Sequence, residues 1–194
     1  ISVVIGTDGN PVIAYFNLAG SRLRVGTCDN SICSGNFSFY TIDSTGDVGR
    51  YNSVAIDASG RPIISYFDLT NEDLKFVRCG NATCSSGNSI RTLDSVAQVG
   101  RYTSIALGAD DLPVISYYDS SNQDLKVVHC GNANCSSGNT ITTIDSSAQV
   151  GLYNDLAIGS DGLPIISYYD EWNGDLKVLH CGNVTCSSGN FINT

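Results

Sequence analysis

Eight cysteines stand in four pairs of the form Cys-x4-Cys: Cys28 and Cys33, Cys79 and Cys84, Cys130 and Cys135, Cys181 and Cys186. Matched pairs this close in sequence predict four local disulfides and an oxidising compartment. Each would close a loop of about six residues, worth roughly 2 kcal/mol on loop-closure entropy. A zinc site needs ligands at spacings such as Cys-x2-Cys, with histidines in reach. Only two histidines occur, His129 and His180, each directly before a cysteine. Thr27 and Arg78 hold the same place in the other pairs, so the disulfide reading is preferred.

A second group of polar residues falls at fixed spacing. It comprises Asp68, Asn71 and Asp73; Asp119, Asn122 and Asp124; and Asp170, Asn173 and Asp175. Carboxylates and an amide so arranged suit calcium, the one cofactor these residues suggest. The competing reading is a turn held by Asx hydrogen bonds, with the second aspartate, such as Asp73, paired to a nearby lysine such as Lys75. Three oxygens fall short of the six or more that calcium takes, and Asn17, Gly20 and Arg22 break the pattern at its first occurrence. Tyr66, Tyr117 and Tyr168 recur, as do Tyr51, Tyr102 and Tyr153. Aromatic rings with a hydroxyl suit sugar-binding shelves or, for the first set, the core. Trp172 stands alone, where Ala19, Thr70 and Ser121 occur elsewhere, and is a candidate ligand contact. Asn36, Asn81 and Asn183 begin N-glycosylation acceptor triplets.

No catalytic constellation emerges. There is no G-x-S-x-G elbow. A hydrolase could use Asp68, Asp119 and Asp170 as acids. Near-identical units present one group several times, whereas an enzyme converges unlike groups on one pocket. The sequence therefore predicts a chain that is not an enzyme.

The elements that position these residues repeat every 51 residues. Pro11, Pro62, Pro113 and Pro164 keep the step, as do the cysteines, and residues 52–102 match 103–153 at 31 of 51 positions. The units are 1–51, 52–102, 103–153 and 154–194, the last shortened, all within one repeat domain spanning 1–194. Unit two reads as four strands at 53–57, 62–67, 74–79 and 89–93, with 94–102 as the link to the next unit. The strands are rich in Ile, Val, Tyr and Phe, without a helical period. Strand two is apolar on both faces, as a strand packed between sheets must be. Four short antiparallel strands per unit at this period predict an all-β fold: a β-propeller of four-stranded blades. The ring would have four blades or be part of a larger propeller or array.

Composition excludes several classes. Hydrophobic residues make up 42% of the 194, so the chain is not a disordered polymer. No apolar run approaches the ~18 residues of a membrane span, so no membrane insertion is expected. The net charge of −9 opposes binding of nucleic acid.

The string DGLPIISYYD…NGDLKVLHC, with CSSGN and DSSAQVG, resembles the tandem disulfide-containing repeats of secreted or cell-surface bacterial proteins. The resemblance covers the whole chain and implies an extracellular, propeller-like array with no activity to carry over. At the level of fold it is similar to propeller lectins and sialidase-type propellers. Ser160-Asp161-Gly162 lacks the spacing and the aromatic residue of the sialidase Asp-box, so that chemistry is not implied. Three functional expectations follow. The first is a structural or adhesive module at the cell surface, such as a subunit of an appendage or filament, that associates with itself or with neighbouring repeats. The second is a multivalent lectin with glycans as partners. The third is a glycan-active hydrolase.

Overall fold

The computed structural model describes Ile1–Thr194 and is all β apart from one short 3-10 turn at Leu18–Gly20. Sixteen strands form four antiparallel sheets of four, each in simple sequential order. The first blade holds β1 (Ser2–Ile5), β2 (Pro11–Asn17), β3 (Arg22–Cys28) and β4 (Phe37–Asp43). The second holds β5 (Val48–Ile56), β6 (Pro62–Asp68), β7 (Asp73–Arg78) and β8 (Ser89–Asp94). The third holds β9 (Val99–Leu107), β10 (Pro113–Asp119), β11 (Asp124–His129) and β12 (Thr140–Asp145). The fourth holds β13 (Val150–Ile158), β14 (Pro164–Asp170), β15 (Asp175–His180) and β16 (Phe191–Asn193). Each proline opens a second strand, where its missing N–H costs little.

The first strands of successive blades pack on one another, β1 on β5, β5 on β9 and β9 on β13, which makes them the inner strands. The core lies between blades rather than within them. Leu23 and Val25 of the first blade meet Val48, Ile64 and Tyr66 of the second. Leu74 and Phe76 meet Val99, Ile115 and Tyr117. Leu125 and Val127 meet Val150, Ile166 and Tyr168. This is why strand two is apolar on both faces.

The crossing from one blade to the next is tightly built. Val48, Val99 and Val150 donate their N–H to the carbonyls of Ser21, Glu72 and Gln123 of the preceding blade, at 2.9–3.0 Å. The following glycines are required. A Cβ on Gly49, Gly100 or Gly151 would lie 2.7–2.9 Å from the Cα of Leu23, Leu74 or Leu125, and all three have positive φ. The inner strands are also longer than the sequence suggests. β9 starts at Val99 and takes in residues read above as link, because a bulge lets the chain begin pairing early.

The disulfides Cys28–Cys33, Cys79–Cys84, Cys130–Cys135 and Cys181–Cys186 close the loops between the third and fourth strands. An asparagine after each of the last three reinforces its loop. The Asn88 amide, for example, donates to the Cys84 carbonyl while its oxygen accepts from the Gly80 N–H. No helix is long and apolar enough to cross a membrane.

Candidate functional site

The bulge in each inner strand is where the repeat departs from plain pairing. Arg50 pairs with Phe67 and Ser53 with Ser65, so Tyr51 and Asn52 together oppose the single residue Tyr66. The same shift recurs in β9 and β13. It puts Tyr51, Tyr102 and Tyr153 in the left-handed region, with φ of 51°, 53° and 50°. That conformation costs a residue with a side chain about 1–2 kcal/mol. Non-glycine residues also take it at Cys33, Cys84, Cys135 and Cys186 and at the turn residues Ser21, Glu72 and Gln123. Those sit in tight loops, whereas the tyrosines sit inside strands. Strain of this kind gathers where a side chain must be aimed.

The aim brings the three rings into a row. Tyr51 and Tyr102 have centroids 4.7 Å apart, and Tyr102 and Tyr153 4.5 Å apart, each tilted by about 50°. Phe67, Tyr118 and Tyr169 stand behind them at 6.2–6.4 Å. Tyr51 is 42% and Tyr153 66% exposed, so the row is an open ledge across three blades. Burial, with the hydroxyls of Tyr153 and Tyr51 beside it, pushes the Tyr102 phenol up from its ordinary value. It therefore stays protonated, a hydrogen-bond donor, well beyond neutral pH.

The links and the turns between second and third strands share the end of the sheets where these tyrosines lie. The Leu69 N–H donates to the Asp47 carbonyl, Ser120 to Gln98, and Glu171 to Gln149. Trp172, 78% exposed, sits in the last of these turns, so it belongs to the same face as the tyrosine row. Gln98 donates back to Glu72 of the preceding turn at 2.6 Å, whereas Gln149 donates forward to Glu171 of the following one.

The other tyrosine set has a different task. Tyr66, Tyr117 and Tyr168 are buried, and each donates its hydroxyl to an aspartate of the preceding blade: Asp43, Asp94 and Asp145, at 2.6–2.8 Å. Lys75, Lys126 and Lys177 donate to the same carboxylates at 2.7–3.2 Å. Burial alone would raise the Asp43 carboxyl. The Lys75, Thr45 and Tyr66 hydrogen bonds outweigh it and hold the group at about 2. Asp94 and Asp145 are lowered by the same balance. These tyrosines are clamps between blades.

The acidic turns are closed on themselves. Asp68 accepts from the Thr70 and Asn71 N–H groups through Oδ1 and from the Asn71 amide through Oδ2, with Lys75 at 3.6 Å. Asp119 and Asn122 repeat this, as do Asp170 and Asn173. Asp73, Asp124 and Asp175 pair across the strand with Asp68, Asp119 and Asp170 as the first residues of β7, β11 and β15. No three His, Cys, Asp or Glu side chains converge as metal ligands would. The Asn81 and Asn183 amides donate to serines of their own disulfide loops, whereas Asn36 is exposed. His129 and His180 bond Asp110 and Asp161 at 2.8 Å. Sequence reasoning named the ledge tyrosines but assigned them to a link. Their VGxY setting, a glycine two residues before a repeated aromatic, is the signal that marks the bulge.

No family model matches the sequence, and no curated protein does. Solved structures do share the fold. A family-43 β-1,3-galactosidase has a TM-score of 0.61 at 8% identity, over 91% of this chain and 42% of that one. An exo-β-1,3-galactanase from Phanerochaete chrysosporium, solved with galactose, has 0.59 at 12%, over 99% and 51%. An α-L-arabinofuranosidase from Lactobacillus brevis has 0.58 at 10%, over 99% and 71%. The chain thus spans from under half to about 70% of the length of these proteins. At such identities the likeness is one of fold, that of a β-propeller. It corrects the expectation that the chain is not an enzyme, because glycoside hydrolases stand foremost among the proteins that share its shape. Repetition of near-identical units is no argument against an enzyme, because inner strands from several blades converge on one place whatever the repeat.

Proposed function

We propose that the chain engages neutral carbohydrate along the ledge of Tyr51, Tyr102 and Tyr153. One observation carries this reading: a bulge built three times over holds a tyrosine in a strained conformation and leaves its ring open to solvent. An open row of rings carrying hydroxyls suits the apolar face and hydroxyl rim of a sugar. The charge of −9 favours neutral over acidic saccharides. The propellers of similar shape include proteins named for arabinofuranosides, galactans and xylans, which makes those the sugars to try first. Repeated contacts on one face support avidity for long or dense chains, the basis of an adhesive role at a cell surface. Four disulfides fit such an oxidising, extracellular setting.

The test is calorimetry with arabinan, galactan and xylan oligosaccharides, with release of reducing sugar followed in the same samples. The expected result is binding that Tyr102→Ala weakens at least tenfold while the melting temperature holds. Release of sugar would add turnover to recognition at this face. Equal affinity in wild type and Tyr102→Ala, or no binding to any of the three, would overturn the reading.

A further inference from the structure

The three interfaces between blades are built alike, and each end of the chain carries half of a fourth. Leu23, Leu74 and Leu125 are fully buried by the following blade, as are Val25, Phe76 and Val127. Their counterparts in the fourth blade, Leu176 and Val178, are 66% and 37% exposed. On the first blade the opposite face is open. Val3 is 61% exposed, whereas Val54, Ile105 and Leu156 are buried. Tyr15 and Arg24 stand where Tyr66 and Lys75 grip the Asp43 carboxylate, but no aspartate reaches them. The Arg24 Nε is buried without a partner, its guanidinium resting 5.2 Å over the Phe39 ring. The inner strands β1 and β13 do not pack on each other as the other inner strands do.

We propose that this gap takes one more blade of the same 51-residue pattern. Its fourth-strand aspartate would accept from the Tyr15 hydroxyl and pair with Arg24. Its tyrosine-bearing face would cover Leu176 and Val178. The occupant is one blade rather than a second copy of the chain, because the four blades follow the arc of five-bladed propellers over up to 99% of their length. One place is then open in the ring, too narrow for four more blades. The chemistry of both faces is that of the three interfaces already formed: aliphatic side chains around a buried aspartate held by a phenol and a cation.

The test fuses a fifth unit after Thr194, either a second copy of Ile144–Thr194 followed by Ile144–Ser147 or, in a separate protein, a copy of Leu93–Ser147, so that each ends past a fourth-strand aspartate. Both stay in phase with the repeat. Amide hydrogen exchange is compared with that of the unfused chain. The expected result is at least about tenfold slower exchange in both β1 and β15, independent of concentration. Replacing the last aspartate of the added unit, the one at the end of its fourth strand, by alanine should return β1, but not β15, toward the unfused rate. The proposal is overturned if both fused units stay protease-sensitive and leave β1 and β15 unchanged. It is equally overturned if the unfused chain protects both strands by forming concentration-dependent dimers in sedimentation.

Discussion

Asn52 gives a sharp test of how the blades are joined. In the fourth blade the Asn154 amide donates to the Gly151 carbonyl, and its oxygen accepts from the Ser116 hydroxyl of the blade before at 2.6 Å. In the third blade Thr103 donates to Ser65 at the same place. In the second blade the Asn52 amide donates to Gly49 at 2.8 Å, but its oxygen is buried with no donor. The first blade has Ala14 where the others have Ser65 and Ser116. Ala14 is fully buried, as are both serines, so the hydroxyl fits this setting elsewhere. A buried unmet acceptor costs about 1–3 kcal/mol, and part of that gain is spent on burying the new hydroxyl. Ala14→Ser should therefore stabilise by about 1 kcal/mol, or about 2–4 °C for a chain of this size. Urea denaturation followed by circular dichroism reads it. Ser116→Ala should produce the reverse loss, about 1–2 kcal/mol. The decisive control is Ala14→Ser in an Asn52→Ala background, where the gain must vanish. A gain that persists there, or none in the wild type, would refute this account of the blade interface.

Further outcomes are expected. Tyr153→Gly relieves a left-handed residue and should leave stability unchanged or raise it by up to about 1 kcal/mol in thermal denaturation, while saccharide binding falls. A clear loss of stability would mark Tyr153 as packing. The carboxyls of Asp43, Asp94 and Asp145 are held below the ordinary range, so the stability they give is full above pH 4 and drains as pH falls toward 2. At Asp43 the loss is about 2 kcal/mol, and burial of Asp73 and Asp124, which raises their carboxyls, works in the opposite sense. Urea midpoints at pH 7, 4 and 2.5 should show it; a flat profile would contradict it. Lys126→Met strips a buried carboxylate of its cation and should cost about 3–5 kcal/mol, read from the same denaturation curves. Reduction should open the Cys-x4-Cys loops to protease before the strands exchange. Unchanged loop cleavage after reduction would show that the disulfides do not hold them.

The fold was legible because the repeat is unbroken. Proline, cysteine and tyrosine at one step, with strand two apolar on both faces, lead to blades packed face to face. The exchange of polar partners between blades was not legible. Asp43 and Tyr66 lie 23 residues apart, and only the stacking of one sheet on the next brings them together. The Asx hydrogen bonds of the turns were legible because Asp68 and Asn71 are local to one hairpin, but the lysine expected on Asp73 instead faces Asp68 and, more closely, Asp43 of the preceding blade. The ledge was half visible: the tyrosines stood out by recurrence, but nothing local says that a bulge draws VGRY into β5 and turns Tyr51 outward. The open faces at the two ends were hidden for the same reason, because burial by a neighbouring blade has no trace in the pattern of a single unit.

The claim that the inner-strand tyrosines form a carbohydrate ledge is tested most directly by ring resonances. Protein with carbon-13 in its tyrosine rings is titrated with galactan, arabinan and xylan oligosaccharides. The account predicts shifts at Tyr51, Tyr102 and Tyr153 and none at the buried clamps Tyr66, Tyr117 and Tyr168. Shifts confined to the clamps, or absent from all six with every saccharide, would contradict it.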